Sequence, residues 1–222
     1  GYEAQRDENI SSVVVIGGRA GLYNSGGDNV LIGEDAGRNS GAGADQVIIG
    51  HQAGHYAHNN DVVIIGESAG YYATGSYNVF VGKEAGAGGQ AVPPYSSGQN
   101  NVALGYRALY TFTTGNSNVA VGHTALPAST TGTGNVAIGS RALLVHTTGQ
   151  YNVVIGEGAM RDTDAGSDSL DSDHNVFIGW AAGGGAWANA KSEFNTFVGN
   201  SSCVSSLDNA LYNAGLGYRA GE

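Results

Sequence analysis

A nine-residue block recurs twelve times along the chain, and it restricts the possible folds more than any other feature of the sequence. The copy from Asn101 to Leu109 shows its pattern: an opening Asn, then Val, a variable residue, an aliphatic residue, an anchor Gly and, three residues later, an Ala. The anchors are Gly17, Gly33, Gly50, Gly66, Gly82, Gly105, Gly122, Gly139, Gly156, Gly179, Gly199 and Gly217. Self-similarity at a short period is the sequence signature of a solenoid or a related repeat architecture.

The spacing of the anchors separates the regular part of each repeat from its loops. Successive anchors are 16 to 23 residues apart, and 16 or 17 is the usual spacing. The block keeps its length, so all variation falls between one block and the next, as expected when insertions become loops on stacked coils. We therefore expect an irregular lead-in over residues 1–12 and a repeat domain over 13–222. Loop insertions are expected at 87–100, 161–174 and 184–194.

The Val-x-aliphatic-Gly segment predicts a short β-strand that ends in a turn. β-Branched residues favour strands, and a glycine at every repeat disfavours a helix. About twelve coils of 16–17 residues, stacked in parallel about 4.8 Å apart, would form an all-β parallel β-solenoid. The Asn that opens nine of the twelve blocks suits a bend. Repeated in register, it could form a ladder of side chains.

Both sides of each predicted strand are apolar. Side chains alternate across a strand, so the Val and the aliphatic residue before the anchor face one way, and the residue between them faces the other way. We assign the Val and aliphatic positions to the interior, which leaves the middle residues as an exposed apolar stripe that needs a partner. A copy of the same chain, related by a threefold or twofold axis, is the simplest partner. The middle residues expected to pack between chains are Leu31, Ile48, Ile64, Phe80, Phe177 and Phe197.

The composition excludes several classes of protein. Glycine supplies 38 residues and proline only 3, without the every-third-residue glycine of collagen. A hydrophobic content of 41% excludes a polar disordered chain. The net charge of −10 argues against nucleic acid as a partner, because phosphate binding needs clustered Lys and Arg. No apolar run reaches about 18 residues, so no membrane insertion is expected. The single cysteine, Cys203, excludes an internal disulfide framework.

The blocks at 118–122 and 135–139 resemble the Asn-Val-Ala-Ile-Gly repeats in the heads of trimeric autotransporter adhesins. The longer period, with Ala142-Leu143 and Thr147-Thr148-Gly149, looks more like related repeats in phage tail fibres and other viral surface fibres. The resemblance covers nearly the whole chain. It implies a left-handed β-roll, a homotrimer of chains packed side by side, and contact with host surface molecules.

Together these features predict a structural and receptor-contacting segment of an extracellular or viral tail fibre, exposed on the virion or outside the cell, and not an enzyme. Its expected partners are itself, as a homotrimer, and a host cell-surface glycan or protein. A tailspike-type polysaccharide depolymerase stays open as an alternative, and it would need two facing carboxylates. The head of a bacterial trimeric adhesin is another. An ice-binding solenoid is less favoured, because paired threonines recur on only three successive coils.

The inserted loops carry the candidate binding residues, since loops on a rigid scaffold commonly carry function. Tyr95, Trp180 and Trp187 present aromatic faces that suit sugar rings or protein surfaces.

An Asp-rich stretch in the second insertion is the one candidate metal site. Several carboxylates close together could bind Ca²⁺, which prefers oxygen ligands. The regular ligand spacing and terminal Glu of a calcium loop are missing, and no other cofactor is expected. The candidate ligands are Asp162, Asp164 and Asp168.

Overall fold

The chain is all-β and folds as a parallel β-solenoid, as the sequence predicts. A computed structural model describes residues 12–89, 95–161, 171–185, 191–205 and 209–221. The chain divides into two compact units, Gly1–Thr114 and Gly115–Glu222. Within the described ranges each unit contains six short strands, one from each coil.

The first unit stacks its strands in chain order, each parallel to the next. Equivalent repeat positions are aligned, so that Leu31 pairs with Ile48 and Ile48 pairs with Ile64. The strands are β1 (Val14–Ile16), β2 (Val30–Ile32), β3 (Gln46–Ile49), β4 (Val62–Ile65), β5 (Val79–Val81) and β6 (Val102–Leu104).

The second unit has the same parallel order and register. Phe177 pairs with Val154 on one side and with Phe197 on the other, although the coils between them contain insertions. The insertions therefore leave the stacking of the strands unchanged. The strands are β7 (Val119–Val121), β8 (Val136–Ile138), β9 (Val153–Ile155), β10 (Val176–Ile178), β11 (Thr196–Val198) and β12 (Ala214–Leu216).

The anchor glycine ends each strand in a backbone conformation that other residues rarely adopt. Gly50 has a φ of 135°. A Cβ at this position would lie 2.6 Å from the carbonyl oxygen of Gly66 in the next coil. Because coils stack this closely at the turn, only glycine fits both the dihedral angle and the space.

The middle residue of each strand points into the coil, which corrects the orientation predicted from the sequence. Ile64 has no exposed surface, whereas its neighbours Val63 and Ile65 are partly exposed. The assignment of the six middle residues to contacts between chains is therefore wrong, because the single chain already buries them. Five have 0% exposure and the last has 5%: Leu31, Ile48, Ile64, Phe80, Phe177 and Phe197.

The asparagine that opens the block explains this orientation. It lies two residues before the middle residue, so both side chains are on the same side of the strand. In the second unit the Asn152 Nδ2 donates to the Asn135 Oδ1 at 3.1 Å and to the Ser172 carbonyl at 2.9 Å. The Asn152 backbone N–H donates to the same Oδ1 at 3.0 Å. A buried amide is stable only when it is hydrogen-bonded, and the interior corner supplies these partners.

The interior volume is shared between the middle residue and the residue four positions after the anchor. In five of the six coils with a large middle residue the second position is glycine, and a Cβ on Gly70 would lie 2.8 Å from the Ile64 Cδ1. In the sixth, Phe197 is combined with Cys203. Where the middle residue is Ala120, the second position is Leu126, and both are fully buried. The same pairing joins Leu31 with Gly37, Ile48 with Gly54, Phe80 with Gly86, Phe177 with Gly183, Ala103 with Leu109 and Ala137 with Leu143. Both positions therefore fill one core.

Candidate functional site

The outward side of the strands forms an apolar surface in each unit, which we call the outer face. Every coil contributes two side chains, one from the Val position and one from the aliphatic position before the anchor. At the Val position, Thr196 and Ala214 replace the usual valine. Ile138 is 37% exposed although strands flank it on both sides. In the first unit β2 to β6 supply Val30, Ile32, Val47, Ile49, Val63, Ile65, Val79, Val81, Val102 and Leu104.

A column of stacked aromatic rings extends the outer face of the second unit. Each member immediately precedes the opening asparagine of its block, just before the strand begins. Neighbouring ring centroids are 5.0–5.1 Å apart, and all four side chains are exposed. The column consists of Tyr151, His174, Phe194 and Tyr212.

The backbone beneath this aromatic column is unusual for residues of its size. All four have φ between 54° and 60°, a left-handed conformation that is uncommon for bulky side chains. In the first unit the same position holds Asp28, Asp45 and Asp61, a residue type that tolerates this conformation better, and in the coil of β5 it holds Tyr77 with a φ of 62°. The column was not predicted, although its signal is present in the sequence as an aromatic residue directly before the asparagine of each of these four blocks.

Tyr95, a candidate binding residue, lies in a cluster of half-buried aromatic side chains. Its ring centroid is 5.0 Å from that of Tyr56 and 5.9 Å from that of Tyr72. Tyr71 contacts Tyr72 at 4.6 Å and stacks on His55 at 5.0 Å. Burial raises the pKa of Tyr71 and lowers the pKa of His55. These contacts hold the rings in place from several sides.

Beside this cluster is an open cavity of about 230 Å³, which we call the tyrosine slot. Tyr71 and Tyr72 line it from one coil and Tyr110 from the coil two further along, with Ala87 and Gly88 between them. The remaining lining residues, Ser68 and Glu84, are polar. The sequence alone does not bring Tyr71, Tyr72 and Tyr110 together, because they lie on coils that only the stacking places side by side.

Trp180, the second candidate, lies on the turn after β10 and is 57% exposed. It lines a smaller cavity of about 130 Å³ together with Arg141, Arg161 and Glu157. The Arg141 Nη2 donates to the Glu157 Oε1 at 3.2 Å, so that guanidinium already has a carboxylate partner. Tyr95 belongs to the first unit and Trp180 to the second.

The other candidate residues cannot be placed. Trp187 and the three proposed calcium ligands, Asp162, Asp164 and Asp168, lie outside the described residues. In the part of the chain that the structure describes, no three His, Cys, Asp or Glu side chains are grouped to hold a metal ion. Among the same residues, no helix has the length and apolar character needed to cross a membrane.

One cation in the second unit is held by two acidic side chains. The Lys191 Nζ lies 2.8 Å from an oxygen of Asp173 and 2.7 Å from an oxygen of Glu193. Hydrogen bonds to both carboxylates raise the pKa of Lys191, which keeps it charged. This arrangement joins two coils by an ion pair near the surface and presents no free reactive group.

Comparison of the chain with protein-family models, with curated proteins and with solved structures finds no match. The fold and surfaces described above define the class of protein: a parallel β-solenoid repeat protein with an apolar outer face.

Proposed function

We propose that this chain is a structural and receptor-contacting segment of an extracellular or viral fibre, in which copies of the chain associate through the outer face. The observation that carries the proposal is the apolar outer face itself, which recurs on coil after coil in both units. Soluble monomers rarely expose contiguous apolar surface over a large area, and larger patches mark sites of association.

The composition of the outer face favours a protein partner. In β2 to β6 its ten side chains are all Val, Ile or Leu, and none is charged. Depletion of charge at the centre of a contact is characteristic of protein interfaces. The acidic side chains of Asp28, Asp45 and Asp61 are at the margin of this surface, where water can solvate them.

A second copy of the chain is the occupant that this surface fits best. Its repeating Val and aliphatic columns have the same chemistry and spacing on every copy, and symmetric association of identical chains is the commonest mode of assembly. The resemblance to trimeric adhesin heads and viral fibres supports three copies. Such a homotrimer would be found outside the cell or on a virion.

The receptor-contacting part of the proposal rests on surfaces away from the strands. The tyrosine slot and Trp180 are formed by residues after the anchor glycine, on the turns of the coil. An assembly that covers the outer face therefore leaves these aromatic groups available to host surface molecules. No catalytic role is proposed for any residue.

Introduction of positive charge into the outer face tests the proposal. The change is Val63→Lys with Ile65→Lys, in the centre of the first unit. We expect the wild-type chain to have three times its monomer mass of 22.5 kDa by light scattering, and the variant to be a folded monomer. Lysines at these partly exposed positions can reach water in one chain, but they would be buried without a counter-ion between chains.

His51→Lys is the matched control, since His51 is exposed on the turn after β3 and away from the outer face. It should retain the wild-type mass. A wild-type chain that is a monodisperse monomer at high concentration would refute association through the outer face. So would a lysine variant that keeps the full oligomer mass.

A further inference from the structure

We propose that the tyrosine slot binds one neutral hexopyranose ring of a cell-surface glycan. This inference rests on the proposed function and specifies the receptor chemistry of the first unit.

The register of the coils creates the slot. Tyr71, Ala87 and Tyr110 occupy the same repeat position in three successive coils. The Tyr72 N–H donates to the Ala87 carbonyl at 2.8 Å, and the Gly88 N–H donates to the Tyr110 carbonyl at 3.0 Å. The backbones that carry Tyr71 and Tyr110 are thus two coil spacings apart, about 10 Å. Ala87 contributes only a methyl group to the space between them.

This spacing matches one ring between two tyrosines. A ring in van der Waals contact with an aromatic face on each side needs about 3.5–4.0 Å per contact, or roughly 7–8 Å in all. Two coils supply this separation, whereas one coil is too narrow. In the two preceding coils, Tyr71 and His55 fill the position themselves and stack directly on each other.

The Tyr71 ring is stacked against a neighbouring ring and also lines the slot. His55, in the preceding coil, stacks on it with an interplanar angle of 9°. The Tyr72 ring lies 4.6 Å from the Tyr71 ring at an interplanar angle of 76°, and both rings border the slot beside Ala87. On the far side, the guanidinium of Arg107 lies 4.9 Å from the Tyr110 ring centroid and helps to hold that ring. The apolar C–H face of a pyranose suits such aromatic surfaces.

Polar groups at the rim can bind the hydroxyl groups of the same ring. One oxygen of the Glu84 carboxylate accepts from the Arg107 Nε. The second oxygen has no hydrogen-bond partner among the described residues, so it can accept from a sugar hydroxyl, and such a charge-assisted bond is stronger than a neutral one. The Ser68 hydroxyl lies at the same opening. This pattern of apolar walls with few polar groups is typical of small-ligand sites.

The charge at the rim selects among sugars. The lining of the slot contains one carboxylate, Glu84, and no Lys or Arg. Arg107, the nearest cation, is already bonded to Glu84. A sialic acid or uronic acid would bring a second carboxylate toward the first, and like charges repel. Neutral hexoses and N-acetylhexosamines avoid this repulsion, so they are the class that we assign.

Two substitutions test the slot. Ala87→Tyr places in the gap the side chain that the coils on either side carry, so it should block the slot and preserve the fold. Tyr110→Ala removes one wall. Tyr23→Ala is the control, because it removes an exposed aromatic side chain of the same unit that does not line the slot.

The probes are arrayed oligosaccharides that end in glucose, galactose, mannose or N-acetylhexosamine, with sialylated and uronate-bearing glycans at matched density. Saturation-transfer NMR with the corresponding methyl glycosides then gives affinities for single rings. We expect binding to neutral sugars, a loss of about tenfold in Tyr110→Ala from the missing aromatic contact, a loss of at least about tenfold in Ala87→Tyr, and no change in Tyr23→Ala.

Several results would overturn the inference: no binding to any neutral sugar, binding to acidic glycans alone, or unchanged affinity in Ala87→Tyr. Light scattering on the same samples separates the two proposals. An oligomer that binds no neutral sugar refutes the slot and retains the fibre assembly. A monomer that binds neutral sugars refutes the assembly and retains the slot.

Discussion

Exchanging volume between Phe80 and Gly86 tests whether the two positions fill one core. Phe80→Ala alone removes a fully buried ring, which should lower the free energy of unfolding by about 3–5 kcal/mol. Gly86→Leu alone has no room, because a Cβ at Gly86 would lie 2.5 Å from the Phe80 Cδ1. Overpacking of this kind lowers the free energy of unfolding by about 1–3 kcal/mol or more.

The double variant should be more stable than either single variant. It converts this coil to the Ala and Leu combination of the next coil, Ala103 with Leu109, and nearly conserves the summed side-chain volume. Leu109 has a φ of 50°, so leucine is compatible with the left-handed backbone that Gly86 adopts at 54°. Volume-conserving exchanges usually lower the free energy of unfolding by less than about 1.5 kcal/mol.

Urea unfolding followed by far-UV circular dichroism measures these differences, provided that the free energy of unfolding depends on urea concentration with the same slope in all variants. The reverse exchange in the second unit, Ala120→Phe with Leu126→Gly, should show the same rescue relative to its single variants. If the free energy of unfolding of each double variant falls by the sum of the two single-variant losses, the two positions do not share one core and the reasoning fails.

Two further predictions concern buried polar groups in the second unit. Burial lowers the pKa of His146 to about 4 from its ordinary 6.5. As the pH falls from 6.5 to 4, the unfolded chain gains a proton that the native chain does not, so the free energy of unfolding should fall by about 3 kcal/mol. His146→Ser should remove this part of the pH dependence, as measured by thermal melts at pH 7 and pH 4. An equal change in melting temperature between these two pH values in the variant and the wild type would contradict the prediction. Asn135→Ala should lower the free energy of unfolding by about 2–3 kcal/mol, because it leaves buried ladder partners unsatisfied. The same change at the exposed end of the ladder, Asn213→Ala, should have a much smaller effect in urea titrations, and equal losses would argue against the ladder.

The sequence predicted the strands and turns well because their causes are local. A β-branched triplet followed by glycine specifies a strand and its end. The close approach at Gly50 shows why the anchor cannot change. The constant length of the block predicted the aligned register, which insertions of up to several residues do not disturb.

The orientation of the strand could not be read from the strand alone, since both of its sides are apolar. The evidence that resolves it lies outside the triplet. Asn135 makes its hydrogen bonds inside the coil, and Leu126 fills the space that Ala120 leaves. The inverse relation between these two positions is present in the sequence, and it would have identified the interior had it been considered.

The repeat by itself thus determined the class of fold, the placement of the turns and the existence of an apolar surface on each side of the strand. The tertiary structure decided which side is interior, and it brought Tyr71, Ala87 and Tyr110 into one slot. The reason is physical: strand and turn propensities act between residues close in the chain, whereas core filling and surface cavities depend on side chains that only stacking brings together.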